Sequence, residues 1–172
     1  AKNKALVSLG GALVKNAAYI IKENKKDLKA ARQKGLSSAL IDRLTLTPAR
    51  IADMAESFIH VSKLKDPIGE VIETTRRPNG LVIKKVRVPI GVILIIYESR
   101  PNVTSDCVGL CLKSSNGLIL RGGSEAFHSN MAIFNILNKE AVRCGLPKDS
   151  ISIIRDTDRR IINELLVQDK SI

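Results

Sequence analysis

Apolar residues change their spacing about half-way along this chain, from helical steps to short continuous runs. The run VILII occupies residues 92–96, and the run LIL occupies residues 118–120. Runs this short predict parallel strands that are buried on both faces. The segment between them has helical length, with one face formed by Val103, Cys107, Leu110 and Cys111. A strand, a helix and a second strand are therefore expected in succession.

The same alternation continues towards the end of the chain. A helix is expected over residues 124–143, a third strand over 151–154 and a further helix through Ile162 and Leu166. This order predicts an α/β fold with a right-handed, parallel, doubly wound sheet. About half of such a sheet is supplied by these residues.

The first 66 residues predict helices. Apolar residues recur in steps of three and four from Leu6, so that one helix is expected to continue to about Asn24. Thr47 and Pro48 form a strong start signal for a later helix, with threonine as N-cap and proline at the first helical position. The other helices are expected at residues 27–34 and 38–44.

Two β-prone runs, at residues 71–77 and 81–88, flank the turn sequence Pro78-Asn79-Gly80. Asn-Gly between such runs is a strong signal for a β-hairpin. Five Lys and Arg residues make the predicted hairpin basic, and charged edges also discourage aggregation.

The loops that follow the first two strands contain polar and glycine residues. Residues 97–102 read YESRPN, and residues 121–125 read RGGSE, with Ser124 suited to cap the next helix. Ligands of parallel sheets bind at the carboxyl ends of the strands. An arginine beside a helix N-terminus predicts an anion site, with phosphate as the common occupant. A plain turn with a capping serine remains an equal alternative.

Composition narrows the choice of partners. The 172 residues are 44% hydrophobic and 26% charged, which suits one globular domain. A net charge of +11 favours an anionic partner such as a dinucleotide, an acidic metabolite or a nucleic acid. Aromatic residues make up only 3%, which disfavours stacking on single-stranded bases. With no apolar run of roughly 18 residues and no signal peptide, a cytoplasmic protein without a membrane partner is expected.

Histidine and cysteine give no metal-binding pattern, so no metal is expected. His60 is predicted on a helix surface, and His128 as a packed helix residue rather than an acid or base. The cysteines have no metal spacing, and Cys107 and Cys111 are interpreted as small buried residues.

Several segments resemble the gamma-glutamyl phosphate reductase family, also called glutamate-5-semialdehyde dehydrogenase, of the aldehyde dehydrogenase superfamily. The segments YESRPNVT and LILRGGSEAFHSN carry the resemblance, and KALVSLGGAL, DPIGEVIETTRRPNGLVIKKVRVPIGV and DTDRR match in the same order. The resemblance implies an aldehyde dehydrogenase-like fold. Its expected parts are a helical segment at 1–66, an oligomerisation hairpin at 67–88 and a partial Rossmann-like NADP-binding domain at 89–172, without the catalytic domain.

The resemblance also implies an activity. The family reduces L-glutamyl 5-phosphate to L-glutamate 5-semialdehyde with NADPH, releasing phosphate, in proline biosynthesis. A cysteine thiolate first displaces phosphate to form a thioester. None of the three cysteines matches that motif, so the nucleophile is expected outside this chain. Implied partners are a second copy of the protein in a homo-oligomer and an upstream glutamate 5-kinase.

The family pattern assigns roles to residues of the loops. Asn102 is the candidate oxyanion donor, and Arg100 would hold the substrate phosphate or carboxylate unless it pairs with Glu98. Arg121 would meet the adenosine ribose and the NADP 2′-phosphate unless it forms a salt bridge. Expected cofactor contacts are Ile96, Tyr97, Arg121, Gly122, Ser124, Glu125, Thr157, Asp158 and Arg159.

Two other functions stay open from the sequence. The chain could be a non-catalytic module that binds NADP(H), because it lacks the nucleophile. It could also be a basic nucleic-acid-binding domain, which only the net charge suggests.

Overall fold

The computed structural model describes residues 1–158 and 160–168, and the elements follow the predicted order. The helices are α1 (Lys2–Lys15), α2 (Ala17–Gln33), α3 (Ser38–Leu44), α4 (Pro48–Lys63), α5 (Asn102–Lys113), α6 (Phe127–Arg143) and α7 (Arg160–Leu166). The strands are β1 (Val71–Arg76), β2 (Val82–Val86), β3 (Val92–Ile96), β4 (Gly117–Arg121) and β5 (Ile151–Ile153). A 3₁₀ turn covers Ser124–Ala126.

The first helix is shorter than predicted, and the second is longer. The chain bends by 65° between α1 and α2. At the bend the side chain of Asn16 donates a 2.8 Å hydrogen bond to the carbonyl of Ala12. Such a bond competes with the helical pattern. The prediction of one helix to Asn24 and a separate one at 27–34 was therefore wrong.

In the part of the chain that the structure describes, no helix alone has the length and apolar character to cross a membrane, although the bent pair α1 and α2 together meets both criteria.

The start of α4 confirms the predicted cap. The hydroxyl of Thr47 accepts the N–H of Arg50 at 3.2 Å, and Pro48 is the first helical residue. The helix packs on α1 at Gly10, where an added Cβ would lie 2.8 Å from the carbonyl oxygen of Ala55. Glycine therefore sets how closely these two helices approach.

β1 and β2 form the predicted antiparallel hairpin. Gly80 closes the turn with φ +85°, a conformation that favours glycine. All strand residues of the hairpin except Thr75 are exposed. The hairpin therefore takes no part in the hydrophobic core.

β3, β4 and β5 form a parallel sheet with β4 in the centre. Leu118 and Leu120 of β4 are buried, whereas Val92 and Ile96 of β3 are 40% and 41% exposed. β3 was expected to be buried on both faces. β3 is an edge strand, and an open groove separates it from α7. The expectation that β3 is buried on both faces was therefore wrong.

Five helices, α1, α2, α4, α5 and α6, share the main hydrophobic core with the sheet, and Ala31, Leu44 and Ala126 form a separate smaller cluster. The main core joins Leu6 and Phe58 from the first helices to Leu118 and Ile133. In α5, Val108 belongs to this core, whereas Leu110 is 55% exposed and does not lie on the buried face as predicted. The predicted α/β fold class is confirmed, and the predicted domain boundaries stay a prediction.

Candidate active site

A cleft lies at the carboxyl ends of β3 and β4, where parallel strands bring their following loops together. The N–H of Tyr97 continues the strand pairing with a 3.0 Å bond to the carbonyl of Arg121. The cleft has a volume of about 630 Å³. Of the predicted cofactor contacts, it is lined by Ile96, Tyr97, Arg121, Ser124, Glu125 and Thr157. The structure therefore brings together six residues that are up to 61 positions apart (157 − 96).

Arg121 lies at the base of the cleft and is only 7% exposed. Its Nη2 donates to the carbonyl oxygens of Thr157 at 2.8 Å and Asp158 at 3.5 Å. Its described partners are thus carbonyl oxygens and not the carboxylate of a salt bridge. Among the described residues, its buried Nε has no hydrogen-bond partner. Arg121 therefore anchors the loop after β5 through Nη2, while its Nε–H makes no described hydrogen bond.

Tyr97 and Gly122 form a closely packed part of the cleft wall. The hydroxyl of Tyr97 lies 2.7 Å from Thr104 Oγ1, and burial raises the pKa of Tyr97 to about 12. A Cβ on Gly122 would lie 2.3 Å from Asn130 Nδ2 and 3.1 Å from the Tyr97 hydroxyl. The close approach that Gly122 permits is therefore internal, and its contact with a cofactor stays a prediction.

The N-terminus of α6 is capped by a residue from another helix. The carboxylate of Asp27 in α2 accepts the N–H of His128 at 3.1 Å and that of Ser129 at 2.8 Å, together with the Ser129 hydroxyl at 2.5 Å. Burial raises the pKa of Asp27, and these hydrogen bonds oppose that shift.

Ser124 was expected to cap this helix, and that expectation was wrong. Ser124 begins the 3₁₀ turn, and α6 starts three residues later without a cap from its own segment. Because Asp27 already accepts N–H groups at this helix end, the predicted anion site cannot use those donors. No local pattern could have indicated this cap, since Asp27 lies 101 residues from His128.

Beside the cleft lies a second cavity of about 330 Å³, and the two share the lining residues Leu36, Ser124, Glu125 and Thr157. Lys34 and Arg155, both exposed, bring positive charge to this cavity. Neither residue was predicted as a contact. Lys34 comes from the end of α2, and only the packing of α2 against α6 places it here.

Asp158 and Arg159 complete the predicted cofactor contacts. The carboxylate of Asp158 accepts the N–H of Arg160 at 2.9 Å and its guanidinium at 2.6 Å. It therefore fixes the start of α7, and this ion pair lowers the pKa of Asp158. Arg159 lies outside the described residues.

Arg100 and Asn102, the predicted substrate residues, do not line the cofactor cleft. They line a hollow of about 350 Å³ among α3, α4 and α5. Asn102 is the first residue of α5, and its Nδ2 donates to Asp106 Oδ2 at 3.2 Å. Glu98 lines the cofactor cleft instead. The predicted site residues thus fall into two groups, on the two sides of the 97–102 loop.

The cysteines and histidines give no sign of catalytic use. Cys107 and Cys111 are buried, as interpreted, and burial raises the pKa of the Cys107 thiol to about 11. Cys144 is exposed at the end of α6. His60 lies on the surface of α4, as predicted. His128 is 47% exposed near Glu23, so its prediction as a packed residue was wrong. Within residues 1–158 and 160–168, no cluster of His, Cys, Asp and Glu could hold a metal ion.

Known proteins resemble this chain over its whole length, although no family model matches it. It is 51% identical over 172 residues to a gamma-glutamyl phosphate reductase of Geobacter metallireducens, covering 41% of that protein. Its structure matches the crystal structure of a gamma-glutamyl phosphate reductase from Thermotoga maritima with a TM-score of 0.95 at 42% identity. That match covers 99% of this chain and 41% of the other. These matches confirm the predicted family, the gamma-glutamyl phosphate reductases.

The chain spans about two fifths of the length of these gamma-glutamyl phosphate reductases. A betaine aldehyde dehydrogenase from Staphylococcus aureus, solved in complex with NAD+, aligns with a TM-score of 0.63 at 18% identity. This alignment covers 89% of this chain and 28% of the other. The likeness shows that the fold is that of the aldehyde dehydrogenases.

Proposed function

We propose that this chain holds the nicotinamide dinucleotide in a gamma-glutamyl phosphate reductase. The full-length protein would reduce L-glutamyl 5-phosphate to L-glutamate 5-semialdehyde with NADPH, in the cytoplasm and as a step of proline biosynthesis. The observation that carries the proposal is the cleft at the carboxyl ends of β3 and β4, in a chain that is 51% identical to a protein of that name.

The residues of the cleft fit a dinucleotide. Ile96 and Leu36 give an apolar wall, while Ser124 and Glu125 give hydroxyl and carboxylate acceptors. The carboxylate of Glu125 is held by the hydroxyls of Ser99 at 3.4 Å and Ser124 at 3.3 Å, which suits an acceptor for a ribose hydroxyl. When bound, the dinucleotide would supply the hydride for reduction.

Positive charge around Glu125 supports NADP(H) over NAD(H). Arg121 lines the cleft, and Lys34 and Arg155 line the adjoining cavity. Cationic donors are what a 2′-phosphate requires. Because Arg121 also anchors the 157–158 carbonyls, Arg155 is the better residue to test.

Calorimetric titration of the full-length protein with NADPH and NADH tests this assignment. Arg155→Ala should weaken NADPH binding by roughly tenfold, which corresponds to one lost charge-assisted hydrogen bond, and should leave NADH binding unchanged. Lys148→Ala, an exposed cation in the loop before β5, serves as the matched control. Equal losses for both nucleotides would contradict a role in binding the 2′-phosphate.

The chemical step is proposed to use a cysteine thiol from outside these residues. Burial of Cys107 and Cys111 disfavours their thiolates, which supports this assignment. That thiol would displace phosphate to form a thioester, with Asn102 as the candidate oxyanion donor and Arg100 as a substrate contact. The intact protein should oxidise L-glutamate 5-semialdehyde in a reaction that requires phosphate and NADP+. A correctly folded full-length protein without this activity would refute the proposal.

The exposed hairpin supports assembly into a homo-oligomer. Ile72, Ile83 and Leu81 are 51%, 46% and 55% exposed, and apolar side chains at such density commonly mark an interface. An acyl phosphate such as the substrate must be made by phosphoryl transfer to glutamate, so a glutamate 5-kinase is proposed to act upstream.

A further inference from the structure

The hollow among α3, α4 and α5 carries charges of both signs. Asp42 and Arg50 pair with each other, with 2.9 Å between Oδ1 and Nη2, and Arg50 also donates to the carbonyl of Thr45 at 2.8 Å. This pair is satisfied by its own contacts. The other charged side chains that line the hollow are Arg43, Asp53, Arg100 and Asp106.

Asp106 is the half-buried carboxylate of this group. Among the described residues, the Asp106 carboxylate accepts one hydrogen bond, from Asn102 Nδ2 at 3.2 Å. A carboxylate can accept about four hydrogen bonds. Burial of a carboxylate is unfavourable unless a cation or further donors compensate it, and here burial raises the pKa of Asp106. Asp53, the other free acid of the hollow, is exposed to solvent. A cationic group in the hollow would therefore gain most at Asp106.

Arg100 lies in the loop two residues before α5, and Asp106 is the fifth residue of that helix. Its guanidinium is exposed, and it lines the same hollow as Asn102. Met54 and Leu46, both buried, add apolar side chains to the lining of this hollow. A ligand that suits this hollow would place an anionic group at Arg100 and a cationic group at Asp106. It would also have a short apolar chain that links these two groups to its reacting carbon. An α-amino acid has these features.

We propose that this hollow binds the head group of an amino-acid substrate, with Asp106 accepting hydrogen bonds from the α-ammonium and Arg100 holding the α-carboxylate. This inference rests on the proposed function, because it places the glutamyl part of that substrate. It adds a selection rule: the protein discriminates its substrate from simple aldehydes by two opposite charges, one on each side of Asn102. Arg100 is thereby assigned to the carboxylate and not to the phosphate.

Three aldehyde substrates test the ammonium contact and the carboxylate contact separately. Each is assayed for oxidation by the full-length protein with phosphate and NADP+. L-glutamate 5-semialdehyde carries both groups, 5-oxopentanoate lacks the ammonium, and 4-aminobutanal lacks the carboxylate. Asp106→Asn should lower kcat/KM for the semialdehyde by about tenfold or more and change that for 5-oxopentanoate by less than about twofold. Arg100→Ala should lower kcat/KM for the semialdehyde similarly and spare 4-aminobutanal.

Controls make the outcomes distinguishable. Asp53→Asn, at the exposed rim of the same hollow, should leave all three substrates within about twofold, and unchanged NADPH binding by calorimetry shows that each variant is folded. Equal losses for all three aldehydes in a folded Asp106→Asn variant would overturn the inference, as would a wild-type protein that uses 5-oxopentanoate as well as the semialdehyde. A wild-type protein inactive on the semialdehyde would refute the proposed function, and this inference would be refuted with it.

Discussion

At the scale of single residues, Gly122 shows how tertiary packing can give a glycine a role that the sequence does not reveal. Gly122 was predicted as a cofactor contact, which stays a prediction, and the structure places Tyr97 and Asn130 against its backbone. Both side chains come from other elements of the chain. The steric need for a small residue at this position therefore follows from tertiary packing, which the local sequence does not show.

Replacement of Gly122 tests this packing. Gly122→Ala puts a Cβ 2.3 Å from Asn130 Nδ2, and the buried Tyr97 leaves little room to adjust, so the free energy of unfolding should fall by about 2 kcal/mol. Gly11→Ala in α1 has open space around it and should raise the free energy of unfolding by roughly 0.5–1 kcal/mol through helix propensity. Urea denaturation of the 172-residue chain measures both values. A neutral Gly122→Ala variant would mean that the loop moves freely.

Glu140 is the residue whose pKa predicts acid sensitivity. The guanidinium of Arg143, 2.6 Å away, and the Ser8 hydroxyl lower the pKa of Glu140 from 4.5 to about 2. A lowered pKa in the folded state stabilises the protein above pH 4.5, and that stabilisation is lost as the pH falls towards about 2.

Glu140→Gln should therefore flatten the decrease of the unfolding free energy between pH 4.5 and about 2. At neutral pH it should cost less than about 1 kcal/mol, because Arg143 is 72% exposed and solvent screens the pair. Urea denaturation over this pH range gives the comparison. Glu56→Gln, which alters an exposed carboxylate on α4, should keep the wild-type slope. An identical acid slope in Glu140→Gln would rule out this carboxylate as its source.

At the scale of elements, the two capped helices show which boundaries a sequence can reveal. α4 begins with Thr47 and Pro48, and its cap comes from the preceding residue, so the start was predicted correctly. The cap of α6 is Asp27, which belongs to α2. Reading Ser124 as the cap followed a sound local rule, but the buried carboxylate of a distant helix already satisfies those donors. Local chemistry predicts local caps only.

The hairpin gives a prediction about association between copies of the protein. Ile83→Lys places a charge on an exposed strand position and should reduce the assembly of the full-length protein towards smaller species, because a charge in an apolar interface is costly. The unfolding free energy of the isolated 172-residue chain should change by less than about 0.5 kcal/mol. Light scattering after size-exclusion chromatography measures the assembly. Val142→Lys, at a similarly exposed position on α6, is the control that should keep the wild-type mass.

At the scale of the whole molecule, the site residues that the parallel sheet brings together were predictable from the sequence. The residues that helix packing brings to the cavities were not. The order of β3 and β4 brings Tyr97 and Arg121 together at one end of the sheet, as the strand pattern indicated. Lys34 and Arg50 reach the cavities because the N-terminal helices share a core with the sheet. Nothing in the local pattern of those helices shows which strand they will face. About half of the residues that line the cofactor cleft, and most of those that line the other two cavities, were therefore missed.

The shared core also predicts how the three cysteines react. Cys107 and Cys111 belong to the core, whereas Cys144 is exposed at the end of α6. A thiol reacts as its thiolate, and both burial and the raised pKa of Cys107, about 11, suppress that form. In the folded 172-residue chain at roughly pH 8, close to the pKa of a free thiol, one thiol should react quickly with an aromatic disulfide reagent. The two core thiols should react only as the core opens, at a rate that rises with urea. Cys144→Ser should abolish the fast phase, and two or more fast thiols would show that the first helices and the sheet do not form one stable core.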